Sequence, residues 1–243
     1  MTAVFAHRGC TDGHPENTLE AFLEAHRRGA DGVEFDVRRS ADGALVIHHD
    51  ALVEGIGLIN ETAVADLPVQ VPLFSATIEA CAGMQMNVEI KNKPGDPGYD
   101  PTGSLSREVA AELVEHGRLD GVIVSSFDTP TIEAVRAAEP ALQVGWLLEV
   151  TANLPEATAT ALDRRYQALH PFFVAVSRDF VSACHAGGLA VNVWTPNADA
   201  HIEAMLDAGV DALITDRLSA ALALVARREQ ANGPEANGGP HSR

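Results

Sequence analysis

Residues 32–50 read GVEFDVRRSADGALVIHHD, and the fold turns on how that stretch is divided. Residues 32–37 and 44–48 are short runs rich in β-branched and aromatic side chains, the composition of strands. Only Ser40-Ala41-Asp42-Gly43, a turn sequence, lies between them. A crossover between parallel strands needs about a dozen residues or more, so 44–48 must return antiparallel to 32–37 as a hairpin. The other strand candidates, at 3–7, 86–90, 121–126, 144–148, 172–176, 190–194 and 212–215, alternate with Ala-rich amphipathic stretches. The helices expected there cover 18–28, 75–82, 106–116, 129–138, 155–168, 178–186, 198–207 and 219–228. Nine strands less the hairpin return leave eight in parallel. The expected fold is an α/β TIM (β/α)8 barrel with an extra antiparallel hairpin strand after strand 2.

The chain of 243 residues has the length of one such barrel, typically ~250 residues. We read residues 1–228 as a single barrel domain and the Gly-, Asn- and Pro-rich segment 229–243 as a disordered tail. A formal net charge of −17 argues against nucleic acid and against stable association with anionic membranes, both of which need a basic footprint. Cys10, Cys81 and Cys184 are odd in number and widely spaced, which fits a reducing, cytoplasmic setting better than a disulfide framework. Segment 50–83 is expected to lie over one end of the barrel. Its apolar residues Leu52, Val53, Ile56, Leu58 and Ile59 read as a plug there rather than as the wall of a lipid channel.

The chemistry gathers at strand ends. Residues two apart on a strand share a face, so Glu34 pairs with Asp36, and Glu89 with Lys91. His7 closes the first strand. In a barrel of this class the C-terminal strand ends form the active site. Three carboxylates converging there repel one another unless a cation sits among them, and hard oxygen ligands suit Mg2+ or Ca2+. The plainer alternative is a set of ion pairs, with Arg38 and Arg39 on the first two carboxylates and Lys91 or Lys93 on Glu89. Arg8 offers a guanidinium that matches phosphate oxygens bidentately. Pro15-Glu16-Asn17-Thr18 reads as a helix start, because Asn17 and Glu20 have capping-box spacing, while Glu16 is placed to orient Arg8 or His7. Of His48 and His49, one should face Glu34 and Asp36. A four-residue hairpin loop puts His49 opposite Glu34, and a three-residue loop with Gly43 as a bulge puts His48 opposite Asp36.

His7-Arg8-Gly9, Pro15-Glu16-Asn17-Thr18, Glu34-Phe35-Asp36-Val37, His49-Asp50 after a hairpin with Asp42-Gly43, and Glu89-Ile90-Lys91 follow in that order. With Ser125-Ser126-Phe127, Trp194-Thr195, Asn197 and Ile214-Thr215-Asp216 they make a chain that closely resembles the glycerophosphodiester phosphodiesterase family, in its compact bacterial form. The resemblance implies a divalent metal held by Glu34, Asp36 and Glu89, with His7 and His49 as the acid–base pair. It also implies substrate contacts from Arg8, Lys91 and Trp194. The implied reaction is hydrolysis of a small-molecule glycerophosphodiester to sn-glycerol 3-phosphate and an alcohol. The sequence departs from the family after Asp50, where Ala51-Leu52-Val53-Glu54 replaces the usual Thr-Leu and arginine; this bears on recognition of the alcohol. Activity on lysophospholipids is the second reading. An inactive phosphoglycerol-binding module is the third, and the presence of all five metal and histidine positions argues against it.

Overall fold

The computed structural model describes residues 1–232. Eight parallel strands close on themselves: β1 (Ala3–His7), β2 (Gly32–Arg39), β6 (Gln85–Ile90), β7 (Val122–Ser126), β8 (Gln143–Leu147), β9 (Ala168–His170), β10 (Ala190–Trp194) and β11 (Ala212–Thr215). β1 pairs with β2 on one side and β11 on the other, which completes the barrel. The ninth strand, β3 (Leu45–Ile47), lies outside it and pairs antiparallel with β2. Helices α1 (Leu19–Arg27), α2 (Phe74–Ala80), α3 (Ser104–Glu115), α4 (Thr129–Ala138), α5 (Leu154–Asp163), α6 (Arg178–Ala186), α7 (Asp199–Ala208) and α8 (Leu218–Asn232) surround it.

The alternation of β2 sorts its side chains. Val33, Phe35 and Val37 face the helices and are fully buried. There Phe35 packs edge-on against Phe22 of α1 at 5.5 Å and tilts against Phe74 of α2 at 6.1 Å. Each such side chain contributes roughly 1.5–3 kcal/mol of burial. Glu34 and Asp36 face the barrel axis. At the crowded interior glycine substitutes for side chains: a Cβ on Gly32 would stand 2.5 Å from the Phe5 ring, and one on Gly145 would stand 2.4 Å from His170 Nε2.

Three expectations need correction, and one open choice is decided. The sixth barrel strand is 168–170, not 172–176. Phe172 and Phe173 have strand composition, but they pack on Trp194 and His201 while Phe173–Ala175 forms a 3-10 turn. The helix expected over 155–168 stops at Asp163, because Arg165 takes φ +56° and turns buried Tyr166 toward Glu133. At the C-terminus α8 runs through Asn232, so 229–232 belong to the helix, and the rest of the expected tail, 233–243, lies outside the described residues. Of the two hairpin loops left open, the three-residue one forms, with Gly43 at φ +89° and Ser40 N–H donating to the Ala44 carbonyl.

Segment 50–83 packs beside this hairpin, with a two-stranded piece of its own, β4 (Leu52–Val53) with β5 (Gly57–Leu58). Val53 and Ile59 join Val46 and Val71 in a small satellite core, while Leu52 and Ile56 stay exposed. Among the described residues no helix is long and apolar enough to cross a membrane.

Candidate active site

β1 ends at His7, and the chain then turns sharply through Arg8 (φ +57°) and Gly9 (φ +84°). A Cβ on Gly9 would press within 2.8 Å of Ala21, so only glycine lets the turn sit this close to α1. The turn aims the Arg8 amide at Glu34 Oε2, 3.1 Å away, and its guanidinium toward Glu16 at 2.9 Å and Asp36 at 3.4 Å. Thr18, not Asn17, caps α1 by accepting from Ala21 N–H. Asn17 is buried with φ +56° and donates from Nδ2 to Asp36 Oδ2 at 2.8 Å.

Glu34, Asp36 and Glu89 are all buried, and one oxygen from each lies within 4.8 Å of the others. Arg38 and Arg39 do not neutralise them. Arg38 donates twice to the His49 carbonyl, and Arg39 binds Glu108 and Ser104. Lys91 reaches Asp36 at 3.0 Å and Glu89 at 2.6 Å. Glu34 has no lysine or arginine partner among the described residues; its one cationic neighbour within 4 Å is His7 Nε2, at 3.8 Å. Burial and the Asp36 charge therefore push its pKa up to about 8. Burial raises Glu89 too. For Asp36 burial acts in the same direction, but Lys91 and Arg8 outweigh it and hold the carboxyl well below the usual range.

The two histidines are built differently. His7 Nδ1 lies 2.6 Å from Asp216 Oδ1, and Asn197 Nδ2 donates to the other Asp216 oxygen at 2.6 Å. Asn197 Oδ1 in turn accepts from the Asp216 amide and the Thr215 hydroxyl. Burial lowers the His7 pKa, yet the Asp216 bond and the Glu34 charge raise it more, so it stands above the ordinary imidazole value. For His49 burial and Lys91 prevail and push it down. Its Nδ1 lies 2.7 Å from Asp50 Oδ1.

His7, Arg8, Glu34, His49, Glu89, Lys91 and Trp194 line one cavity of about 250 Å3, with Phe127, Leu147 and Ile214 as its apolar wall. Asp36 lies against it through Lys91 and Arg8. Every site residue expected from sequence is thus brought to this end of the barrel. His48 stays outside, its Nδ1 2.9 Å from the Asp50 carbonyl. Three further groups had been given no role from the sequence. Asp216 and Asn197 stood among the family motifs, and the structure joins them to His7. Asn87, two residues before Glu89 and so on the same face of β6, also lines the cavity; it is buried with both amide atoms unpartnered.

Carboxylates beside a guanidinium, a lysine and two histidines on a barrel rim are the parts of a phosphodiester site, and residues 7–220 match the glycerophosphoryl diester phosphodiesterase family. The chain belongs to that family. It is 30% identical over 233 residues to a glycerophosphodiester phosphodiesterase of Caldanaerobacter subterraneus subsp. tengcongensis, covering 88% of this chain and 94% of the relative. The fold matches a glycerophosphodiester phosphodiesterase from Parabacteroides distasonis with a TM-score of 0.81 at 23% identity, over 94% and 98% of the two chains. An Oleispira antarctica phosphodiesterase, solved in complex with the product sn-glycerol-3-phosphate, matches with a TM-score of 0.79 at 25% identity, over 93% and 97%.

Proposed function

We propose that this glycerophosphodiester phosphodiesterase releases sn-glycerol 3-phosphate and an alcohol, using Glu34, Asp36 and Glu89 to hold a Mg2+ or Ca2+ ion and His7 and His49 to move protons. The observation that carries the reading is Glu34: a buried carboxyl facing two others with no lysine or arginine partner among the described residues. That donor set, all carboxylate oxygen, suits a hard divalent cation. Bound there, the ion supplies charge neutralisation at the phosphoryl oxygens and acidifies an attacking hydroxyl.

The chain's own groups supply the rest. Arg8 and Lys91 hold the phosphoryl oxygens, both already pointed at the carboxylate cluster. His7 and His49 share the two proton transfers, one accepting from the nucleophile and the other donating to the leaving alkoxide. Asp216 fixes the His7 ring through Nδ1, which leaves Nε2 for the substrate. Trp194 closes the cavity wall, held by its indole N–H on the His170 carbonyl at 2.9 Å. The Oleispira neighbour's bound sn-glycerol-3-phosphate supports the same product here.

Burial of Val53 and Ile59 in the satellite core favours soluble diesters over lysophospholipids. Three free, buried cysteines support a cytoplasmic site of action. The test is metal removal by chelation, checked by elemental analysis, followed by assay on glycerophosphocholine with and without added Mg2+ or Ca2+. Activity should vanish and return; full turnover by the metal-free protein sinks the reading. Higher kcat/KM on lysophosphatidylcholine than on glycerophosphocholine overturns the substrate ranking.

A further inference from the structure

A second cavity, of about 310 Å3, adjoins the first and shares His49, Glu89, Lys91 and Phe127 with it. The phosphoryl position marked by Lys91 and His49 is therefore a junction. The inner side holds the carboxylates and His7, and the outer side opens past Lys93, Asp96 and Glu149. A diester bound across the junction has one half in each cavity.

The outer mouth is built from the ends of three adjacent strands. Phe127 follows β7, Glu149 follows β8 and Lys93 follows β6. The chain has only two lysines; one is Lys91 and the other is this one. Its Nζ lies 2.5 Å from Glu149 Oε1 and 5.8 Å from the Phe127 ring centroid. A carboxylate and an aromatic face together form a receptor for an ammonium, and here they hold the chain's own. The hold is loose: both partners of the ion pair are about half exposed, at 51% and 54%, and such pairs contribute little. The remaining charges favour a cation. Arg38 is committed to the His49 carbonyl and Lys91 to the inner carboxylates. Neither Asp50 nor Asp96 has a lysine or arginine partner among the described residues.

Resting on the glycerophosphodiesterase reading above, we propose that the outer cavity seats the leaving alcohol and selects one bearing a primary ammonium, which replaces Lys93 between Glu149 and Phe127. The inner cavity then takes the glycerol phosphate half. A primary ammonium has N–H donors for Glu149, as Lys93 does; a quaternary one has none. Anchoring of the phosphate next door makes the exchange intramolecular, so a tethered ammonium competes at high effective concentration.

The experiment compares kcat/KM for glycerophosphoethanolamine, glycerophosphocholine and glycerophosphoglycerol in wild type, Lys93→Ala and Lys93→Ala/Glu149→Gln, with circular dichroism to confirm folding. In Lys93→Ala, which removes the competitor, the ethanolamine-to-glycerol ratio should rise about threefold or more, mainly through KM. Adding Glu149→Gln should drop it about tenfold from there, since the charged acceptor is gone while no freed lysine remains to repel. The choline-to-glycerol ratio should change by less. A ratio that falls in Lys93→Ala, or is equal in the single and double variants, overturns the proposal. If wild type with added cation cleaves none of the three diesters, the glycerophosphodiesterase reading itself fails and takes the proposal with it.

Discussion

Cation binding should expel a proton, and the count can be worked from Glu34. An ordinary glutamate, with a pKa near ~4.3, is fully ionised at neutral pH. Glu34 is pushed up to about 8 by burial and by Asp36, so the cation-free protein at pH 7 holds roughly nine-tenths of a proton there. A metal ligand must be a carboxylate, so that proton leaves when the ion enters. Asp36 adds nothing, because Lys91 and Arg8 already keep it ionised. Glu89 is also raised by burial, so any contribution it makes has the same sign. We expect close to one proton released at pH 7, with the apparent affinity weakening about tenfold for each pH unit below 8. Titration calorimetry with Mg2+ or Ca2+ in buffers of different ionisation enthalpy measures this count directly. Glu34→Gln, which cannot ionise, should lose both the release and most of the affinity. Binding to the wild type with no buffer dependence at pH 7 refutes the account of Glu34.

Replacing His7 or His49 by Ala should cut kcat ~100- to 10,000-fold in folded, metal-loaded protein. His48→Ala, which alters a ring outside the cavity, should cost far less; the same assay at saturating metal distinguishes them. Asp216→Asn should move the limb of the rate–pH profile that His7 governs toward acid, because the negative partner that raises His7 is removed; a profile with neither limb moved counts against the Asp216–His7 pairing. Asp100 accepts from Thr102, Ser104 and the Leu105 amide at the start of α3. Burial alone would raise it, but these bonds depress its pKa. Its contribution is therefore present above the unfolded value near ~3.9 and lost as pH falls through the lower folded one. Asp100→Ala should lower the unfolding free energy at pH 7 by about 2 kcal/mol, measurable by urea titration, and the gap should narrow in acid.

What the sequence disclosed and what it hid divide along physical lines. The barrel was legible because seven crossovers long enough for helices stand out against one short turn, Ser40–Gly43. The rim carboxylates were legible because period two places Glu34 with Asp36 on one face. The sixth barrel strand was not. Ala168-Leu169-His170 is short and turns buried His170 inward, and the glycine opposite, Gly145, that makes room for it lies 25 positions away in the chain. Asn17 was read as a cap because local spacing is blind to a tertiary partner, and its partner is Asp36 on the next strand.

The histidine pair marks where strand logic itself stops. The three-residue loop pairs Val37 with Ile47 and Arg38 with Val46, and the His48 amide then donates to the Asp36 carbonyl at 2.9 Å. By register alone His48, not His49, stands opposite Asp36, and alternation would give His48 the inward face. That bond is the last of the ladder. Beyond Ile47 the backbone is no longer strand, so the rule that neighbours face opposite sides has no hold on residues 48 and 49. Arg38 grips the His49 carbonyl with two donors, and Asp50 sits 2.7 Å from its ring. Those contacts direct the His49 ring into the cavity. The identity of the inward histidine is therefore set by an arginine two residues past Asp36, and a variant lacking that grip, Arg38→Met, should lose activity while its carboxylate cluster still binds the cation. Calorimetry alongside kcat separates the two effects; an active Arg38→Met enzyme leaves the orientation of His49 to Asp50 alone.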